Sequence, residues 1–330
     1  MTTDFSAATS SQMVPVDSID CSPGPYCMSF GYDLNPLILS IESVGLLNSP
    51  ILLASENSHR MVIIAGYRRI QALKRLRLHS FPCRVFPASA LDPLHCLLIN
   101  LYENLSTRKL NDVEKGMVLV RMGNIVPEKT IIEQYLPVLD LVPRKDIFLL
   151  YTKIAGELEE PGKTALAEGR LSLPAAKMLL DLDKTARDEI LRFFSNLMLN
   201  MNQQRQLIDF IMDISIIENR SVPNLLVDPS IREMETDVRM NAPQKAKAVM
   251  KWFRKRRLPS VVEAERGFKK SVSELRLPDG VRIVAPPFFE GPDYRMEISF
   301  KNGLQLAKVL KDLSTIKRLV DIGNPQEKER

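Results

Sequence analysis

The sequence predicts an α+β protein in three parts: a mixed α/β domain, an all-helical middle domain and a small α+β module at the C-terminal end. Short apolar segments alternate with helical periodicity up to about residue 105, and helical periodicity alone continues to about residue 222. Two short strand patterns then lie between helices after residue 235. We therefore expect a flexible tail at 1–12 and domains at 13–105, 106–222 and 235–330.

The composition is that of a folded protein with a mild positive charge. Of the 330 residues, 45% are hydrophobic and 26% are charged, so the chain can bury proper cores. The formal net charge of +5 permits an anionic partner without naming one. The four cysteines include no C-x-x-C pair, and the chain has no secretory h-region or apolar run of membrane length. We expect a cytoplasmic protein with reduced thiols and no membrane association.

The N-terminal domain shows strand and helix patterns in alternation. Helical spacing from Leu34 to Val44 ends at Gly45, and a second helix is expected from Gly66 to about Arg77. Strands are expected in the segments "VPVDSI", "PILLAS", "RMVIIA" and "FPCRVFPA". These elements together indicate a compact α/β domain.

The rest of the chain is mostly helical by its periodicity. One apolar face repeats from Ile147 to Leu158, after Pro143 at a plausible first helical position. The segment "RSVPNLLVDPS" indicates a linker of low order. After it we expect a basic helix to Arg257, a helix over 261–275, the strands "GVRIVA" and "YRMEISF", and a closing helix. This last order suits a small two-layer module, which could serve dimerisation.

The segment "IIAGYRRIQALKRL", Ile63 to Leu76, combines a strand end, a glycine and two arginines. No acidic residue occurs between Glu56 and Asp92. Gly66 would let the backbone approach a phosphate, and the following helix N-terminus offers unpaired N–H groups and a favourable dipole. Arg68 and Arg69 could add charge-assisted hydrogen bonds. The alternative is a solvated basic face after a strand, which a lone G-x-R-R pattern would favour.

A second segment, "ENLSTRKLNDVEKG", places Glu103 and Asn104 close to Arg108. A carboxylate beside an amide supplies hard oxygen ligands of the kind that hold Mg²⁺ on a nucleotide phosphate. Arg108 could face the phosphates from the other side. The alternative is helix capping at Asn111 or Asp112 together with surface ion pairs.

These segments together resemble the ParB family of partition and nucleoid-associated proteins. "SIESVGLLNSPIL" is similar to the family's S-I-x-x-x-G-L-L-x-P-I stretch, "AGYRRIQALKRL" to its G-E-R-R-x-R-A box, and "ENLSTRKLNDVEKG" to its E-N-x-Q-R-x-x-L-N-x-x-E box. "EGRLSLPAAKMLLDL" resembles the segment that follows the family's helix-turn-helix. The resemblance covers about residues 13–217, in the family's order and spacing.

The resemblance implies a ParB/sulfiredoxin-like N-terminal domain that binds CTP with Mg²⁺ and closes as a clamp on DNA. By position, Gly66, Arg68 and Arg69 would contact phosphates, and Glu103 and Asn104 would sit at the metal and triphosphate. Thr107 occupies the family's usual arginine position, and Arg108, one residue later, is the further candidate for a nucleotide contact. Tyr67 stands where the family has glutamate, so we expect a binding protein with at most a weak CTPase activity. The alternative is an enzyme that reuses the pocket, either a nuclease or a small-molecule kinase, but only Glu103 is clearly placed as a carboxylate.

DNA contact is expected on two surfaces. Following the family's helix-turn-helix, Arg144, Lys145 and Lys153 would lie on the recognition helix, although a plain helical bundle is the alternative. In "KWFRKRR" the candidates are Lys251, Arg254, Arg256 and Arg257, since a basic helix suits the phosphate backbone. The alternative is an amphipathic helix whose charges stay in water.

The predicted function is therefore a nucleotide-gated DNA-binding protein that acts in chromosome or plasmid partition, nucleoid organisation or transcriptional regulation. We expect a nucleoid-associated homodimer in the cytoplasm, with DNA and a nucleotide as partners and a partner ATPase as a further possibility.

Overall fold

The N-terminal part is built on a four-stranded mixed sheet. The computed structural model describes residues 10–55, 59–291 and 293–323. Its sheet has the strand order β1-β4-β2-β3, in which β4 pairs with β1 antiparallel and with β2 parallel, while β2 and β3 are antiparallel. The elements are β1 Ser10–Pro15, α1 Asn35–Val44, β2 Ile51–Leu53, β3 Val62–Ala65, α2 Tyr67–Arg75, β4 Ser80–Phe86 and α3 Pro93–Thr107.

Helices cover both faces of this sheet, as the apolar strands predict. Alternate residues of a strand point to opposite faces. In β3, Ile63 packs into the core with α1 and α2, whereas the neighbouring Ile64 packs into the core with Cys96 of α3. Gly45 ends α1, as predicted, with its N–H donating to the carbonyl of Ile41 at 2.9 Å.

The predicted tail at 1–12 is corrected in part. Its first nine residues lie outside the described residues, but Ser10, Ser11 and Gln12 belong to β1 and pair with Val85, Arg84 and Cys83 of β4. Their backbone hydrogen bonds to β4 order them although their side chains show no apolar pattern.

The middle of the chain is helical throughout, as predicted. Its elements are α4 Asp112–Gly123, α5 Glu128–Thr130, a π-helical turn Ile131–Tyr135, α6 Leu136–Val138, α7 Lys145–Glu157, α8 Glu160–Ala167, α9 Leu173–Leu180, α10 Lys184–Ser195 and α11 Met201–Ile217. The π-helical turn precedes Pro137, which has no N–H and whose ring crowds the preceding turn. Helix α7 begins at Lys145, two residues after the predicted start at Pro143.

Helices α4 and α7 cross at unusually close range. A Cβ on Gly116 would lie 2.3 Å from the backbone oxygen of Tyr151 and 3.0 Å from Cβ of Ala155. The Tyr151 hydroxyl also donates to Oδ1 of Asp112 at 2.8 Å, in the first turn of α4. Backbone therefore meets backbone at this crossing, and the two helices are held together at both Asp112 and Gly116.

The C-terminal elements follow the predicted α-α-β-β-α order. They are α12 Val222–Leu226, α13 Pro229–Thr236, α14 Ala242–Arg257, α15 Pro259–Glu274, β5 Val281–Val284, β6 Arg295–Ile298 and α16 Gly303–Ser314. The strands β5 and β6 form a two-stranded antiparallel sheet. The predicted linker of low order is wrong: α12 and α13 occupy it, and Val222, Leu225 and Leu226 are buried. Proline in the first turn of each helix and the Asp228 cap explain why a Pro/Ser/Asp-rich segment is helical here.

The chain divides into two compact units, and their boundary differs from the predicted one. One unit holds the described residues up to 192 together with 200–205, and the other holds 193–199 and the described residues from 206 onward. Residues 13–105 and 106–192 share a unit because Met28 and Leu97 lie in one core with Leu119 and Tyr151. The boundary was predicted at residue 105 because the alternation of strand and helix patterns ends there. A change in secondary-structure pattern does not report whether the two segments share a hydrophobic core.

Replacing Gly116 by alanine should destabilise the first unit. Alanine normally favours a helix over glycine by about 1 kcal/mol. Here the new Cβ would overlap the oxygen of Tyr151, so we expect a net loss of about 1–3 kcal/mol in the free energy of unfolding. The matched control is Gly123→Ala at the end of the same helix, where a Cβ meets nothing within 4 Å. Urea unfolding of the two variants gives the comparison, and equal stabilities would contradict the close crossing.

Candidate functional site

One cleft gathers all six residues predicted to contact a nucleotide. It measures about 270 Å³ and lies where the end of β3, the start of α2 and the C-terminal half of α3 meet. The residues that line it are Ser29, Leu37, Asn48, Gly66, Tyr67, Arg68, Arg69, Asn100, Glu103, Asn104, Thr107 and Arg108. The roles predicted for these six residues remain predictions, but the structure brings all of them together.

Gly66 holds the turn from β3 into α2. It is the N-cap residue, with a φ of 91° in the left-handed region, and no side chain caps the helix. A Cβ there would lie 3.0 Å from Cα of Pro50, so the position is both conformationally restricted and closely packed. The backbone is therefore bare at the start of α2, where the helix N–H groups and dipole favour an anion.

Arg69 is fixed across the cleft between two segments. Its Nη1 donates to the backbone oxygen of Asn48 at 2.9 Å, and its Nη2 forms an ion pair with Glu103. The Glu103 carboxylate that was predicted as a metal ligand is thus the counter-ion of Arg69. Both side chains are largely buried, at 15% and 26% exposed, which makes the pair a fixed part of the wall.

Arg68 lies on the opposite side of the α2 N-terminus and makes three contacts. Its Nη2 lies 2.5 Å from Oε1 of Glu114, its Nε donates to Oγ of Ser29 at 3.3 Å, and its guanidinium stands over the ring of Tyr32 at 4.7 Å. Burial and the nearby positive charge of Arg108 lower the pKa of Arg68 from its ordinary value. Two cations are therefore held close together in this part of the cleft.

Arg108 carries an unsatisfied donor. Its Nε donates to Oδ1 of Asn104 at 2.9 Å and its Nη1 lies 2.5 Å from Oε2 of Glu114. The remaining nitrogen, Nη2, is buried and has no hydrogen-bond partner among the described residues. A buried donor left without a partner costs about 1–3 kcal/mol, so an acceptor that reached this nitrogen would relieve that cost.

Asn104 is oriented by its own helix. Its Nδ2 donates to Oδ1 of Asn100 at 2.8 Å and to the backbone oxygen of Asn100 at 2.9 Å, which turns its Oδ1 towards Arg108. Asn100 is buried and in turn donates to the backbone oxygen of Ile64 in β3. The sequence pattern did not single out Asn100, although its spacing one helical turn before Asn104 was a usable signal.

Glu114 is the main residue that sequence reasoning left without a role. It is 1% exposed, and besides Arg68 and Arg108 it accepts the backbone N–H groups of Phe30 and Asn111, each at 3.1 Å. Asn111 returns the interaction by accepting the N–H of Glu114, which forms a capping box at the start of α4. The alternative of helix capping at Asn111 therefore holds, and it coexists with the arginine cluster.

The predicted Mg²⁺ site at Glu103 and Asn104 requires further oxygen ligands from a molecule bound in the cleft. Within the described ranges, no group of three or more His, Cys, Asp or Glu side chains could hold a metal ion. Glu103 and Asn104 supply one carboxylate and one amide oxygen side by side. Such a pair fits Mg²⁺ only when a ligand's phosphates and water complete the octahedron.

The cleft is poorly equipped for acid–base or thiol chemistry. Burial raises the pKa of Tyr67 well above its usual range, and its hydrogen bond to Tyr32 raises it further. Cys83, on β4, is also buried, and this raises the pKa of its thiol to about 12. Neither side chain is ionised near neutral pH, so neither is a ready base or nucleophile.

The residues predicted on the recognition helix are exposed and lightly paired. Arg144 is the N-cap residue of α7 and forms a two-pronged ion pair with Asp146, at 2.9 and 2.7 Å. Lys145 lies 3.0 Å from Glu128, and Lys153 is exposed. Exposed pairs of this kind contribute about 0–1 kcal/mol, so these cations could exchange their partners for phosphates.

The arginines of the basic run are bound within the second unit rather than presented freely. Arg254 pairs with Glu265 at 2.8 and 2.5 Å, Arg257 pairs with Asp213 at 2.7 Å, and Arg256 pairs with Glu218 at 2.8 Å. Arg256 also stacks on the only tryptophan, Trp252, at 4.8 Å. The same helix buries Val249 and Phe253, as the amphipathic alternative expects, but its arginines are ion-paired rather than left in water.

Three lysines on α14 remain available. Lys247, Lys251 and Lys255 are exposed, and a spacing of four residues places them on one face of the helix. In the part of the chain that the structure describes, none of the three has an acid within ion-pair distance. Of the predicted DNA-contacting residues in this run, Lys251 alone belongs to this face.

The architecture is that of an α+β domain whose mixed sheet carries an arginine-lined cleft. Residues 2–105 match the family model of the ParB N-terminal domain. The resemblance predicted from the sequence motifs is therefore confirmed over this segment.

The matching relatives bear ParB names and align over part of their length. The chain is 30% identical over 158 residues to the probable chromosome-partitioning protein ParB of Pseudomonas putida, covering 47% of this chain and 51% of that protein. It is 28% identical over 189 residues to the protein of the same name from Chlamydia muridarum, covering 54% of this chain and 62% of that one. The chain thus spans about half the length of the Pseudomonas relative.

Two solved structures of C-terminally truncated ParB from Caulobacter crescentus also align. One is complexed with CTP-gamma-S, at 22% identity and a TM-score of 0.27, and covers 56% of this chain and 99% of that one. The other is complexed to the centromeric parS site, at 18% identity and a TM-score of 0.30, and covers 60% and 98%. Overall superposition at these TM-scores is poor.

Gly66→Ala should strain the start of α2. The left-handed φ costs an alanine about 1–2 kcal/mol, and contact with Pro50 adds to it. Gly169→Ala is the control, because Gly169 also has a positive φ, of 73°, but a Cβ there meets nothing within 4 Å. Thermal unfolding should show a larger loss for Gly66→Ala than for the control. Equal losses would mean that only the backbone angle, and not the packing against Pro50, restricts the site.

Proposed function

We propose that this chain is a ParB-type DNA-binding protein that binds a nucleoside triphosphate, CTP with Mg²⁺, in the cleft at the start of α2. The observation that carries the proposal is the convergence of Arg68, Arg69 and Arg108 on one cleft within or next to a ParB N-terminal domain. Three guanidinium groups in about 270 Å³ suit a polyphosphate better than any neutral ligand. The choice of CTP follows from the family resemblance.

The phosphate groups would bind between the helix N-terminus and the arginines. The bare first turn of α2 after Gly66 supplies backbone N–H groups, and Arg108 supplies a buried nitrogen without a partner. Glu103 and Asn104 would hold the Mg²⁺, which supplies positive charge to the phosphates when it is bound. Glu103 would then share its carboxylate between the cation and Arg69.

Binding rather than turnover is the function that the side chains support. Hydrolysis requires a base for water, and the position after Gly66 holds Tyr67, whose pKa is raised by burial. Glu114 is the nearest further carboxylate, but its two oxygens already accept hydrogen bonds from two arginines and two backbone N–H groups. We infer that nucleotide hydrolysis is slow or absent, which argues against the nuclease and kinase alternatives.

DNA would be contacted at two surfaces of different kinds. Arg144, Lys145 and Lys153 on and next to α7 are the candidates for the recognition helix. The lysine face of α14, made of Lys247, Lys251 and Lys255, suits sequence-independent contact with phosphates. We assign the phosphate contacts to this face rather than to Arg254, Arg256 and Arg257, because those arginines form ion pairs with acidic residues of their own unit.

Partition, nucleoid organisation or transcriptional regulation would be the cellular role, in the cytoplasm and on the nucleoid. No helix among the described residues is both long and apolar enough to cross a bilayer. A homodimer is supported by the two-stranded sheet β5–β6, since so small a sheet is marginal alone, and by the exposed Met296, Phe300 and Leu304 beside it. A partner ATPase remains part of the proposal by family resemblance alone.

Arg69→Ala should weaken nucleotide binding. The variant removes one of the three guanidinium groups and leaves Glu103 as an unpaired negative charge facing the phosphates, so we expect at least a tenfold rise in the Kd for CTP with Mg²⁺. Isothermal titration calorimetry measures this directly, and phosphate release measured in parallel should stay at the background rate.

The control for this experiment is Lys74→Ala on the same helix. Lys74 is exposed, carries the same charge and does not line the cleft. It should bind CTP as the wild type does. If Arg69→Ala and Lys74→Ala bind alike, the cleft is not the nucleotide site.

The lysine face of α14 should contribute to the salt dependence of DNA binding. Replacing Lys251 and Lys255 together by alanine should lower the magnitude of the log–log salt slope by about 1.8 and weaken binding to all sequences alike, since each phosphate contact contributes about 0.9. Lys308→Ala with Lys311→Ala on α16 makes the same change of charge at exposed positions elsewhere in the unit. An unchanged slope in the α14 variant would show that these lysines are only solvated.

A further inference from the structure

Glu114 competes with any anion for the arginines of the cleft. Its carboxylate is almost completely buried, and it lies 2.5 Å from Nη2 of Arg68 and 2.5 Å from Nη1 of Arg108. Glu114 does not itself line the cleft, whereas both arginines do. The two guanidinium groups therefore face a ligand on one side and an internal carboxylate on the other.

We propose that Glu114 acts as an internal substitute for a ligand phosphate and so sets both the affinity of the cleft and its coupling to α7. The inference rests on the proposed function, because it concerns the regulation of the same nucleotide site. Without a ligand, Glu114 neutralises Arg68 and Arg108. A polyphosphate that enters the cleft draws the two arginines away from Glu114, and this weakens the contacts that Glu114 makes at the start of α4.

The charges in the cleft indicate that Glu114 and a ligand anion compete for the same arginines. Arg68, Arg69 and Arg108 contribute three positive charges, while Glu103 and Glu114 contribute two negative ones. The Nη2 atom of Arg108 is buried and has no partner among the described residues, so a phosphate that reached it would gain a hydrogen bond without displacing one. The other donors that these arginines direct to Glu114 become available only when the carboxylate releases them. Charge-assisted hydrogen bonds in a partly buried site are strong enough for such an exchange to change affinity measurably.

The position of Glu114 in the fold connects this exchange to the helical domain. Glu114 is the third residue of α4 and closes the capping box with Asn111, so its carboxylate holds the helix start as well as the arginines. One turn carries both Glu114 and Asp112, and Asp112 accepts the Tyr151 hydroxyl of α7. Gly116 follows at the close crossing with the same tyrosine. A change at the start of α4 therefore bears directly on the helix that begins at Arg144 and Lys145.

Glu114→Gln in the full chain tests the proposal. Glutamine keeps an acceptor for the capping box, since Glu and Gln both serve at that position, but it carries no charge to hold the arginines. We expect the Kd for CTP with Mg²⁺, and for inorganic pyrophosphate without Mg²⁺, to fall by about tenfold, because at least one guanidinium is no longer claimed by a carboxylate. We also expect the effect of CTP on DNA affinity to become smaller, because the exchange at Glu114 no longer occurs.

Glu159→Gln is the matched control. Glu159 also forms a two-pronged pair with a buried arginine, Arg187, at 2.8 Å for both contacts, but it lies away from the cleft. A loss of folding stability alone would appear in both variants, whereas tighter anion binding should appear only in Glu114→Gln. Equal or weaker binding by a folded Glu114→Gln variant overturns the proposal.

A measurement on the wild type keeps the proposal testable if Glu114→Gln does not fold. The N–H groups of Phe30 and Asn111 donate to Glu114, so their hydrogen exchange should become faster when CTP draws the arginines away. Unchanged or slower exchange at both amides overturns the inference. If the wild type binds neither CTP nor pyrophosphate, it is the proposed nucleotide function that fails; binding without these changes contradicts only the role of Glu114.

Discussion

The structure of the first unit depends on one buried carboxylate. Burying a charge is costly unless it is fully paired, and Glu114 is compensated by two guanidinium groups and two backbone N–H groups. These four donors come from the segment before α1, from α2, from the end of α3 and from the turn before α4. A single side chain thus joins the sheet domain to the first helix of the helical domain, and removal of its charge would loosen all four segments together.

Two kinds of positive charge follow different physical rules in this molecule. Arg68, Arg69 and Arg108 are partly buried and face acids across a small cleft, where low polarity strengthens each interaction and fixes its geometry. Lys247, Lys251 and Lys255 are exposed on one face of α14, where salt screens them and their side chains stay mobile. The first arrangement suits a small anion held in a fixed geometry, and the second suits an extended polyanion.

Local patterns predicted the elements, but not the pairing of charges. The strands and the helix stop at Gly45 are encoded within short windows, and the structure reproduces them. The convergence of Gly66 with Glu103, 37 positions later, followed from the family resemblance rather than from a local pattern. Contacts such as Phe30 with Glu114 or Arg256 with Glu218 join residues 84 and 38 positions apart, and no periodicity reports them. The arginines of the basic run were therefore predicted to be free of ion pairs. The segment "RSVPNLLVDPS" was predicted to be a linker because proline, serine and aspartate are common in turns, but the same residues also favour the start of a helix.

The crossing at Gly116 determines what kind of motion the helical domain can undergo. Most helix pairs touch through side chains, whose rotamers absorb small shifts before a neighbouring helix feels them. At Gly116 the main chain of α4 rests on the carbonyl oxygen of Tyr151, and no rotamer lies between them to absorb a displacement. Helices α4 and α7 are therefore expected to move together as a rigid pair rather than to slide past each other at Gly116.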